Sequence, residues 1–339
     1  MIIVFKPGIS KREETAVLAE IRKLGYTPHV MRGVARTVVG AIGDELTHAN
    51  LETLTAQFPK VVESVMPIQK RYKLVSREAH PSNSTVKVRE HKIGGKKFHV
   101  MAGPCSVESE KQLLTTAEAV KKAGATILRG GAFKPRTSPY EFQGLGEKGL
   151  KLLAKARRAT GLAVITELLS EQHVDLVAEY TDIIQIGARN AQNFQLLIAA
   201  AKTGLPVLLK RGLSMKIEEW LLAGEYVLAN ENPNLMFCER GIRTFETYTR
   251  NTLDLSTIPI IKRESHSPIV IDPSQGAGRA DLVTTMCKGA VAMGADALLI
   301  EVHPNPAEAW SDGAQQVTLE GFAKLMNELK PFIAAAGRE

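Results

Sequence analysis

An alternation of short apolar runs with helical stretches, beginning at Phe98, constrains the fold of this chain more than any other feature. The runs are, in order, FHVMAG, ATILRG, AVITE, DIIQIG, PVLLK, LMFCER, PIVID and ALLIEV. Parallel strands that are buried on both faces read as continuous apolar runs, so the alternation predicts a repeated βα unit. Eight such units within residues 98–339 match the size of a (β/α)₈ TIM barrel.

A doubly wound α/β sheet is the alternative architecture for such a repeat. The even number of runs, and the polar residue that ends nearly every one of them, favour the barrel. In a barrel, catalytic side chains lie at the carboxyl ends of the strands. We therefore expect the functional residues of this chain just after the apolar runs.

The residues before the repeat predict a small separate domain. Residues 1–67 read as strand, helix, strand, strand, helix, strand, with MIIVF as the first strand and KREETAVLAEIRKLG as the first helix. This βαββαβ order is typical of ferredoxin-like modules, and we expect it to regulate or to oligomerise rather than to catalyse. Residues 68–97 are polar and rich in turn residues, and they predict a linker that ends in a short hairpin. The barrel is then expected over residues 98–339.

Composition restricts the partners and the location of the chain. The formal net charge is +7, but only 5% of residues are aromatic and the basic residues form no dense tract, which argues against a nucleic-acid partner. No apolar run is long enough to span a membrane and the amino terminus does not resemble a signal peptide, so we expect a cytoplasmic protein without a membrane partner. The widely spaced Cys105, Cys238 and Cys287 predict neither a disulfide framework nor a zinc finger.

Basic side chains recur at the predicted ends of the strands. The set comprises Arg129, Lys134, Arg136, Arg189, Lys210 and Arg240. Six cations at one mouth repel one another unless an anion binds there, so the pattern predicts a site for two phosphates, or for a phosphate and a carboxylate. One or two of these cations are expected to pair with Glu167 and Glu239. A solvated surface is the alternative interpretation.

A thiol and two carboxylates form a second group at the same strand ends. Cys105 follows the first strand, Glu301 ends the eighth, and Asp312 lies in the next loop. With Gln275 or a histidine as a fourth member, these residues suit a divalent metal such as Mn, Fe or Zn. A lone buried cysteine is usually a small hydrophobic residue, but its place at the catalytic face favours the metal site. His303, two residues after Glu301, is a candidate for proton handling.

Several long motifs resemble those of 3-deoxy-D-arabino-heptulosonate 7-phosphate (DAHP) synthase, of the type I beta group that carries an amino-terminal ferredoxin-like domain. The motifs are MAGPCSVES, LRGGAFKPRTSPYEFQGLG, IIQIGARNAQNF, VLLKRG, CERGIRTFE and EVHPNPAEAWSDG. The resemblance covers nearly the whole chain. It implies a transferase that condenses phosphoenolpyruvate with erythrose 4-phosphate, the first step of the shikimate pathway to the aromatic amino acids. It also implies a homo-oligomer, since tetramers are common among similar proteins.

The resemblance assigns roles to individual residues. Phosphoenolpyruvate would be held by Arg129, Lys134, Arg189, Lys210 and Arg240, and Ala188 and Asp272 are further candidate substrate-binding residues. The sugar phosphate would be held by Arg136 and Thr137. Glu167 would help to place the attacking water, Lys134 would donate a proton to the new alkoxide, and His303 is a further candidate catalytic group.

Position 275 departs from the family pattern. Family metal sites resemble a set of cysteine, histidine, glutamate and aspartate, with the histidine in a run like Asp-Pro-Ser-His. This chain has DPSQGAGR, so Gln275 stands at the expected ligand position. An amide oxygen is a poorer ligand than imidazole for Zn or Fe, but it is tolerable for Mn or Mg. Three hypotheses follow: Gln275 ligates the metal weakly, which we prefer; water or His303 completes the site; or the metal binds poorly and catalysis is impaired, as in an engineered variant.

In relatives of this architecture, the small domain resembles a feedback module that binds tyrosine or phenylalanine. The resemblance places His29 and Met31 where effector contacts are expected. Ordinary packing is the alternative interpretation for both side chains.

Two other functions remain as alternatives. A related synthase, of 3-deoxy-octulosonate 8-phosphate, uses arabinose 5-phosphate, but the run KPRTS argues against it because that relative has an asparagine-containing run there. The other is a non-catalytic phosphate-binding sensor of the same fold. Gln275 alone supports the sensor, and the three intact metal-ligand candidates argue against it.

Overall fold

The computed structural model describes residues 1–33, 37–43, 49–66, 71–136 and 138–339. The chain divides into two compact units. The first comprises Met1–Asn83 with Arg263–His266, and the second comprises Ser84–Lys262 with Ser267–Glu339. The domain bounds expected from the sequence, 1–67, 68–97 and 98–339, remain predictions.

The first unit contains an antiparallel sheet with short helices. Its strands are β1 (Ile2–Phe5), β2 (Thr27–Arg32), β3 (Thr37–Ile42) and β4 (Val62–Met66). Its helices are α1 (Lys11–Lys23), α2 (Ala49–Glu52) and α3 (Leu54–Gln57). The sheet order β2-β3-β1-β4 and the βαββαβ succession confirm the predicted ferredoxin-like architecture. The second predicted helix is present as two short helices, one on each side of Thr53.

Local sequence explains where α1 begins and how it packs. The Glu13 amide donates to the Ser10 hydroxyl, and the Ser10 amide donates to the Glu13 carboxylate at 2.8 Å, which forms a capping box. Val17 and Ile21 lie one turn apart on the helix and are fully buried in a cluster that also contains Phe5 of β1. The first unit therefore has its own hydrophobic core.

The second unit is a closed barrel of eight parallel strands. The strands are β7 (His99–Gly103), β8 (Ile127–Arg129), β9 (Ala163–Leu168), β10 (Ile183–Ile186), β11 (Val207–Lys210), β12 (Leu235–Glu239), β13 (Ile269–Ile271) and β14 (Ala297–Glu301). Each of the eight predicted apolar runs forms one of these strands. Because β14 pairs with β7, the sheet closes on itself, and the doubly wound alternative is wrong.

Helices follow the barrel strands. They are α4 (Glu110–Lys122), α5 (Glu147–Thr160), α6 (Val174–Tyr180), α7 (Phe194–Lys202), α8 (Ile217–Ala229), α9 (Thr257–Glu264), α10 (Pro273–Ala277), α11 (Ala280–Ala292) and α12 (Leu319–Ala335). Within the part of the chain that the structure describes, none of the helices is long and apolar enough to cross a membrane.

A hairpin before the barrel belongs to the barrel's core. Its strands are β5 (Val86–Val88) and β6 (His91–Ile93), which pair antiparallel. Val86, Val88 and Ile93 lie in one buried cluster with Ile127, Ala163, Ile183 and Ala297, which are the first residues of four barrel strands. The hairpin therefore closes the amino end of the barrel, and the carboxyl end is left for a site.

Candidate active site

The carboxyl ends of the barrel strands surround a cavity of about 240 Å³. Its lining comprises Arg129, Lys134, Pro135, Arg136, Glu141, Glu167, Gln185, Gly187, Ala188, Arg189, Lys210, Arg240, Arg250, Gln275 and Asp312. All six cations singled out in the sequence lie in this lining, and Arg250 is a seventh. Seven cations against three carboxylates make the cavity suited to anionic ligands.

Cys105, Glu301 and Asp312 converge at one side of this mouth. Glu301 ends β14 and pairs with Gly103 of β7, so Cys105 reaches the same level two residues later. One ligand atom from each of the three residues lies within 4.8 Å of the others, and Cys105 Sγ is 3.4 Å from Asp312 Oδ2. A sulfur and two carboxylate oxygens at this spacing fit a divalent metal of the Mn, Fe or Zn class.

The environment of Cys105 determines how its sulfur ionises. Burial raises the pKa of the thiol to about 11, with Glu301 acting in the same direction and Lys134 against it. A metal would therefore compete with a bound proton for this sulfur. Lys134 Nζ lies 3.0 Å from Cys105 Sγ and 3.0 Å from its carbonyl oxygen. Gly131 leaves room for this contact, because a Cβ there would lie 2.9 Å from Lys134 Cδ.

The Glu301 carboxylate is fully buried and accepts three side-chain hydrogen bonds. Arg129 Nη1 and Gln275 Nε2 each lie 3.0 Å from Oε1, and Gln315 Nε2 lies 2.6 Å from Oε2. Burial tends to lower the pKa of Arg129, but the charges of Glu301 and Cys105 outweigh it and raise that pKa. Arg129 Nε is buried and has no hydrogen-bond partner among the described residues.

Gln275 connects the metal-ligand candidates with Arg240. It lies in α10, directly after β13. The Asp272 carboxylate caps this helix by accepting a hydrogen bond from the backbone N–H of Gln275 at 2.8 Å. Side-chain Nε2 lies 3.0 Å from Glu301 Oε1 and 3.4 Å from Asp312 Oδ2. Oε1 accepts from Arg240 Nη2 at 2.7 Å. The structure thus brings Gln275 to the cluster, with its amide nitrogen toward the carboxylates.

Arg189, Lys210 and Arg240 also line the cavity. Lys210 ends β11, and its Nζ is 2.6 Å from Asp272 Oδ2. Arg240 follows β12, and burial lowers its pKa although Asp272 opposes the shift. The exposed Arg189 guanidinium has no hydrogen-bond or ion-pair partner within the ranges that the structure describes. Of these three cations, Arg189 is therefore the one whose charge is not used in an internal contact between described residues.

Glu167 reaches its position because Gly187 has no side chain. Glu167 lies in β9, and Gly187 follows the adjacent parallel strand β10. A Cβ on Gly187 would lie 1.8 Å from Glu167 Oε1. The φ of Gly187 is −70°, which any residue adopts, so the requirement is one of space.

Comparison with known proteins agrees with this geometry. The sequence matches the model described as "DAHP synthetase I family" over residues 78–335 and that of the "DAHP synthase ferredoxin-like domain" over residues 1–70. The chain belongs to the DAHP synthetase I family. It is 48% identical over 339 residues to a phospho-2-dehydro-3-deoxyheptonate aldolase from Thermotoga maritima, with 99% of each chain covered.

A solved structure and a further relative are also similar to this chain of the DAHP synthetase I family. A crystal structure of phospho-2-dehydro-3-deoxyheptonate aldolase (DAHP synthase) from Thermotoga maritima has a TM-score of 0.79 to it, and the match covers 100% of this chain and 98% of that one. A 2-dehydro-3-deoxyphosphooctonate aldolase from Caulobacter vibrioides is 34% identical and covers 69% of this chain and 87% of its own. The similarity to this Caulobacter aldolase thus covers a smaller part of the chain.

The structure also locates three other predicted substrate-binding residues, Ala188, Arg136 and Asp272. Ala188 lines the cavity, and Arg136 Nε at its rim is 2.9 Å from Glu141 Oε2. Asp272 is fully buried, and its carboxylate holds Lys210. Thr137 lies outside the described residues.

The structure does not bring His303 into the cavity. Its Nδ1 accepts from the Asn305 amide at 3.1 Å, and its Nε2 lies 3.2 Å from Glu108 Oε2. Glu108 also accepts from the Trp310 amide at 2.8 Å. The predicted role of His303 in proton handling stays a prediction.

The two predicted effector residues lie on β2 of the ferredoxin-like sheet. His29 is opposite Gly40 and Met31 is opposite Val38 in the pairing with β3, and both side chains are half-buried. Their alternation along one strand places them on the same face of the sheet. Their role stays a prediction.

The pairing expected for Glu239 was wrong. Its carboxylate accepts from Arg211 Nη1 at 3.1 Å, and Arg211 also donates to Asp254 Oδ2 at 2.9 Å and to the Met215 carbonyl at 2.9 Å. Three of the six cations singled out in the sequence pair with other carboxylates: Arg129 with Glu301, Lys210 with Asp272, and Arg136 with Glu141. A strand-end position alone did not indicate which carboxylate was close enough.

Sequence reasoning missed Arg250 and Gln315. Arg250 Nη1 lies 3.1 Å from Gln315 Oε1 and 3.3 Å from Asp312 Oδ1. Both residues lie in long loops, well past the ends of β12 and β14, where a search of strand ends does not look. A search of whole loops for cations would have found Arg250.

Proposed function

We propose that this chain condenses phosphoenolpyruvate with erythrose 4-phosphate to DAHP and inorganic phosphate, as the first step of the shikimate pathway. The observation that carries the proposal is the convergence of seven cations on one cavity directly beside the Cys105, Glu301 and Asp312 cluster. Two phosphorylated substrates supply the negative charge that such a cavity requires. Membership of the DAHP synthetase I family supports this choice of substrates.

Phosphoenolpyruvate is assigned to the inner part of the cavity. Arg189, Lys210 and Arg240 provide cations for its phosphate and carboxylate, and Arg129 in the cavity lining adds a further positive charge. The carboxylate pairs of Lys210 and Arg129 keep these side chains in place before the substrate arrives. Ala188 is small and completes the wall.

Erythrose 4-phosphate is assigned to the outer part. Arg136 lies at the rim, where Glu141 occupies its Nε, and the remaining guanidinium donors can hold the sugar phosphate. Thr137, the next residue, is proposed as a second contact. The aldehyde carbon then faces the inner cavity.

Cys105, Glu301 and Asp312 would hold a divalent metal, of the Mn, Fe or Zn class. When bound, the metal would supply Lewis-acid polarisation of the aldehyde oxygen. Arg129 and Gln275 both donate to Glu301 and so hold its carboxylate in place for the metal.

Lys134 and Glu167 are proposed to handle protons and water. In the reaction, C3 of phosphoenolpyruvate bonds to the aldehyde carbon, water adds at C2, and phosphate leaves by C–O cleavage. Burial tends to lower the pKa of Lys134, but the charges around Cys105 and Glu301 raise it, so Lys134 is an ammonium that can donate to the alkoxide. Glu167, held over Gly187 at the cavity wall, is placed to accept a hydrogen bond from the water.

The ferredoxin-like unit is proposed as a feedback module for tyrosine or phenylalanine, with His29 and Met31 among the contacts. A homo-oligomer, by resemblance a tetramer, is the proposed assembly. Calorimetric titration of the purified chain with each amino acid tests the effector role. Light scattering tests the proposed homo-oligomer. A chain that binds neither amino acid contradicts the effector assignment.

Steady-state turnover tests the proposed reaction. Protein stripped with a chelator is assayed with phosphoenolpyruvate and erythrose 4-phosphate, and Mn²⁺, Zn²⁺ or Fe²⁺ is then added back. We expect turnover that depends on metal, and much less with arabinose 5-phosphate in place of erythrose 4-phosphate. Binding of phosphoenolpyruvate without product under any metal would instead favour the non-catalytic sensor.

A further inference from the structure

The amide of Gln275 has one favourable orientation among its neighbours. The Arg240 guanidinium has only donors, and the ionised carboxylates of Glu301 and Asp312 have only acceptors. Oε1 accordingly faces Arg240 at 2.7 Å, and Nε2 faces the two carboxylates at 3.0 and 3.4 Å. The reverse orientation would set N–H groups against N–H groups and oxygen against carboxylate oxygen. The chemistry of the neighbours therefore fixes which end of the amide is the nitrogen.

The backbone at Gln275 is held as firmly as the side chain. Its N–H donates to Asp272 Oδ1 at 2.8 Å, and its carbonyl accepts from Asn251 Nδ2 at 2.9 Å. Gly276 packs against Leu253, so that a Cβ there would lie 2.7 Å from Leu253 Cδ1. The residue cannot move toward the metal cluster as a body without breaking these contacts.

Turning only the amide would leave Arg240 without its closest acceptor. Arg240 is 5% exposed, and its other side-chain contact is to the Gly241 carbonyl at 3.4 Å. A buried guanidinium that loses an acceptor is costly, so the contact to Arg240 opposes a ligand role for Oε1. At the same time, the nitrogen donates to two of the three metal-ligand candidates.

We propose that Gln275 is a hydrogen-bond donor to the metal's carboxylate ligands and is not itself a ligand. This inference rests on the proposed metal site, and it differs from the expectation that the amide oxygen ligates. The protein then supplies Cys105, Glu301 and Asp312, and water occupies the position that an imidazole at residue 275 would take. Gln275 is a positioning residue, since the side chain that orients both carboxylates also accepts from Arg240 in the anion site.

Counting the waters on a bound metal tests the inference. The full chain is loaded with Mn²⁺ in D₂O, and electron spin echo envelope modulation measures the exchangeable water bound to the metal. We expect the same number of waters in the unmodified chain and in Gln275→Leu, because no ligand is removed. Gln275→His is the matched control, and it should lose one water and gain nitrogen modulation from the imidazole.

One additional water in Gln275→Leu would overturn the inference, since it would show that the amide oxygen had been bound to the metal. If Gln275→Leu does not fold, a crystal structure of the Mn²⁺-loaded unmodified chain decides instead. Oε1 still on Arg240 supports the inference, and Oε1 bonded to the metal overturns it.

A separate measurement distinguishes this inference from the metal site on which it rests. Co²⁺ bound to the cluster should give a thiolate charge-transfer absorption that Cys105→Ala removes. Absence of that absorption in the unmodified chain would overturn the metal site and the inference with it. Its presence, together with an extra water in Gln275→Leu, would overturn the inference alone.

Discussion

Arg211 and Arg189 follow neighbouring barrel strands, β11 and β10, yet their surroundings differ. Arg211 is buried and donates to two carboxylates and a carbonyl. Arg189 lines the cavity and has no partner among the described residues. The difference teaches that a cation with internal carboxylate partners holds the barrel together, whereas a cation left without them is available to a ligand.

The same distinction separates Glu301 from Arg189 at the mouth of the barrel. Around Glu301 every oxygen already accepts a hydrogen bond, from Arg129, Gln275 or Gln315. Around Arg189 the donors are open. Glu301 is thus a carboxylate held in place by internal hydrogen bonds, and Arg189 is a cation without an internal partner among the described residues.

Loss of charge at Glu301 should have the largest effect. In Glu301→Gln the buried Arg129 loses its counter-charge, and we expect the free energy of unfolding to fall by about 3–5 kcal/mol. Metal binding should be lost with it. Urea unfolding and metal titration by calorimetry check both effects.

Glu328→Gln is the matched control for that change. Glu328 pairs with Lys288 at 2.6 Å, but both side chains are partly exposed. Loss of such a surface pair should leave the unfolding free energy nearly unchanged. Equal losses in the two variants would contradict the idea that the Glu301 network is structural.

Substitution of the two arginines should produce opposite results. Arg211→Met leaves Glu239 buried without its cation, so we expect a loss of about 3 kcal/mol in stability. Arg189→Met should leave stability within about 0.5 kcal/mol and lower kcat/KM for phosphoenolpyruvate by about 10- to 100-fold. Unfolding curves and steady-state kinetics of both variants give the comparison.

Arg158→Met serves as the control for that pair, because Arg158 is an exposed residue of α5 away from the mouth. It should change neither stability nor kinetics. An Arg189→Met chain that unfolds more easily but keeps its kcat/KM would break the comparison between the two arginines.

The smallest expected effect concerns His99, a buried histidine whose protonated form has no carboxylate among the described residues close enough to stabilise it. Burial lowers the pKa of His99 from 6.5 to about 4, and the neighbouring charges of His91, Lys97 and Arg338 act in the same direction. The folded state therefore binds fewer protons than the unfolded state between pH 6.5 and 4, and stability falls as pH falls through this window. The loss from His99 between pH 7 and pH 5 should be about 2 kcal/mol.

Unfolding free energies of the unmodified chain and of His99→Gln, measured at several pH values, check this expectation. His99 lies 3.1 Å from the Thr126 hydroxyl, a contact that glutamine can replace. The slope with pH should be smaller in the variant. Identical slopes would show that other groups carry the pH dependence.

The sequence was sufficient to predict the barrel, because the barrel strands are buried on both faces and read as uninterrupted apolar runs. It was also sufficient for the convergence of cations, since closure of the barrel carries every strand end to one mouth. It could not specify pairing within the mouth. Whether Glu239 meets Arg211 or Arg240 depends on side-chain directions that differ between adjacent residues of one strand.

The same limit explains Gln275. The sequence placed it in the loop after the seventh barrel strand, but the orientation of an amide depends on what lies at each of its ends. Arg240 and Glu301 lie 35 and 26 residues away along the chain, and only the folded barrel puts them on opposite sides of the amide. Arg250, missed for a related reason, reaches the site from within a long loop.

The hairpin of β5 and β6 has a consequence for how barrels of this kind can be recombined. Since Val86, Val88 and Ile93 fill the amino end of the barrel core, a chain that begins at Phe98 would expose the first residues of its strands to water. A different amino-terminal domain must therefore be fused before Val86, so that the hairpin is kept and still covers the amino end of the barrel core.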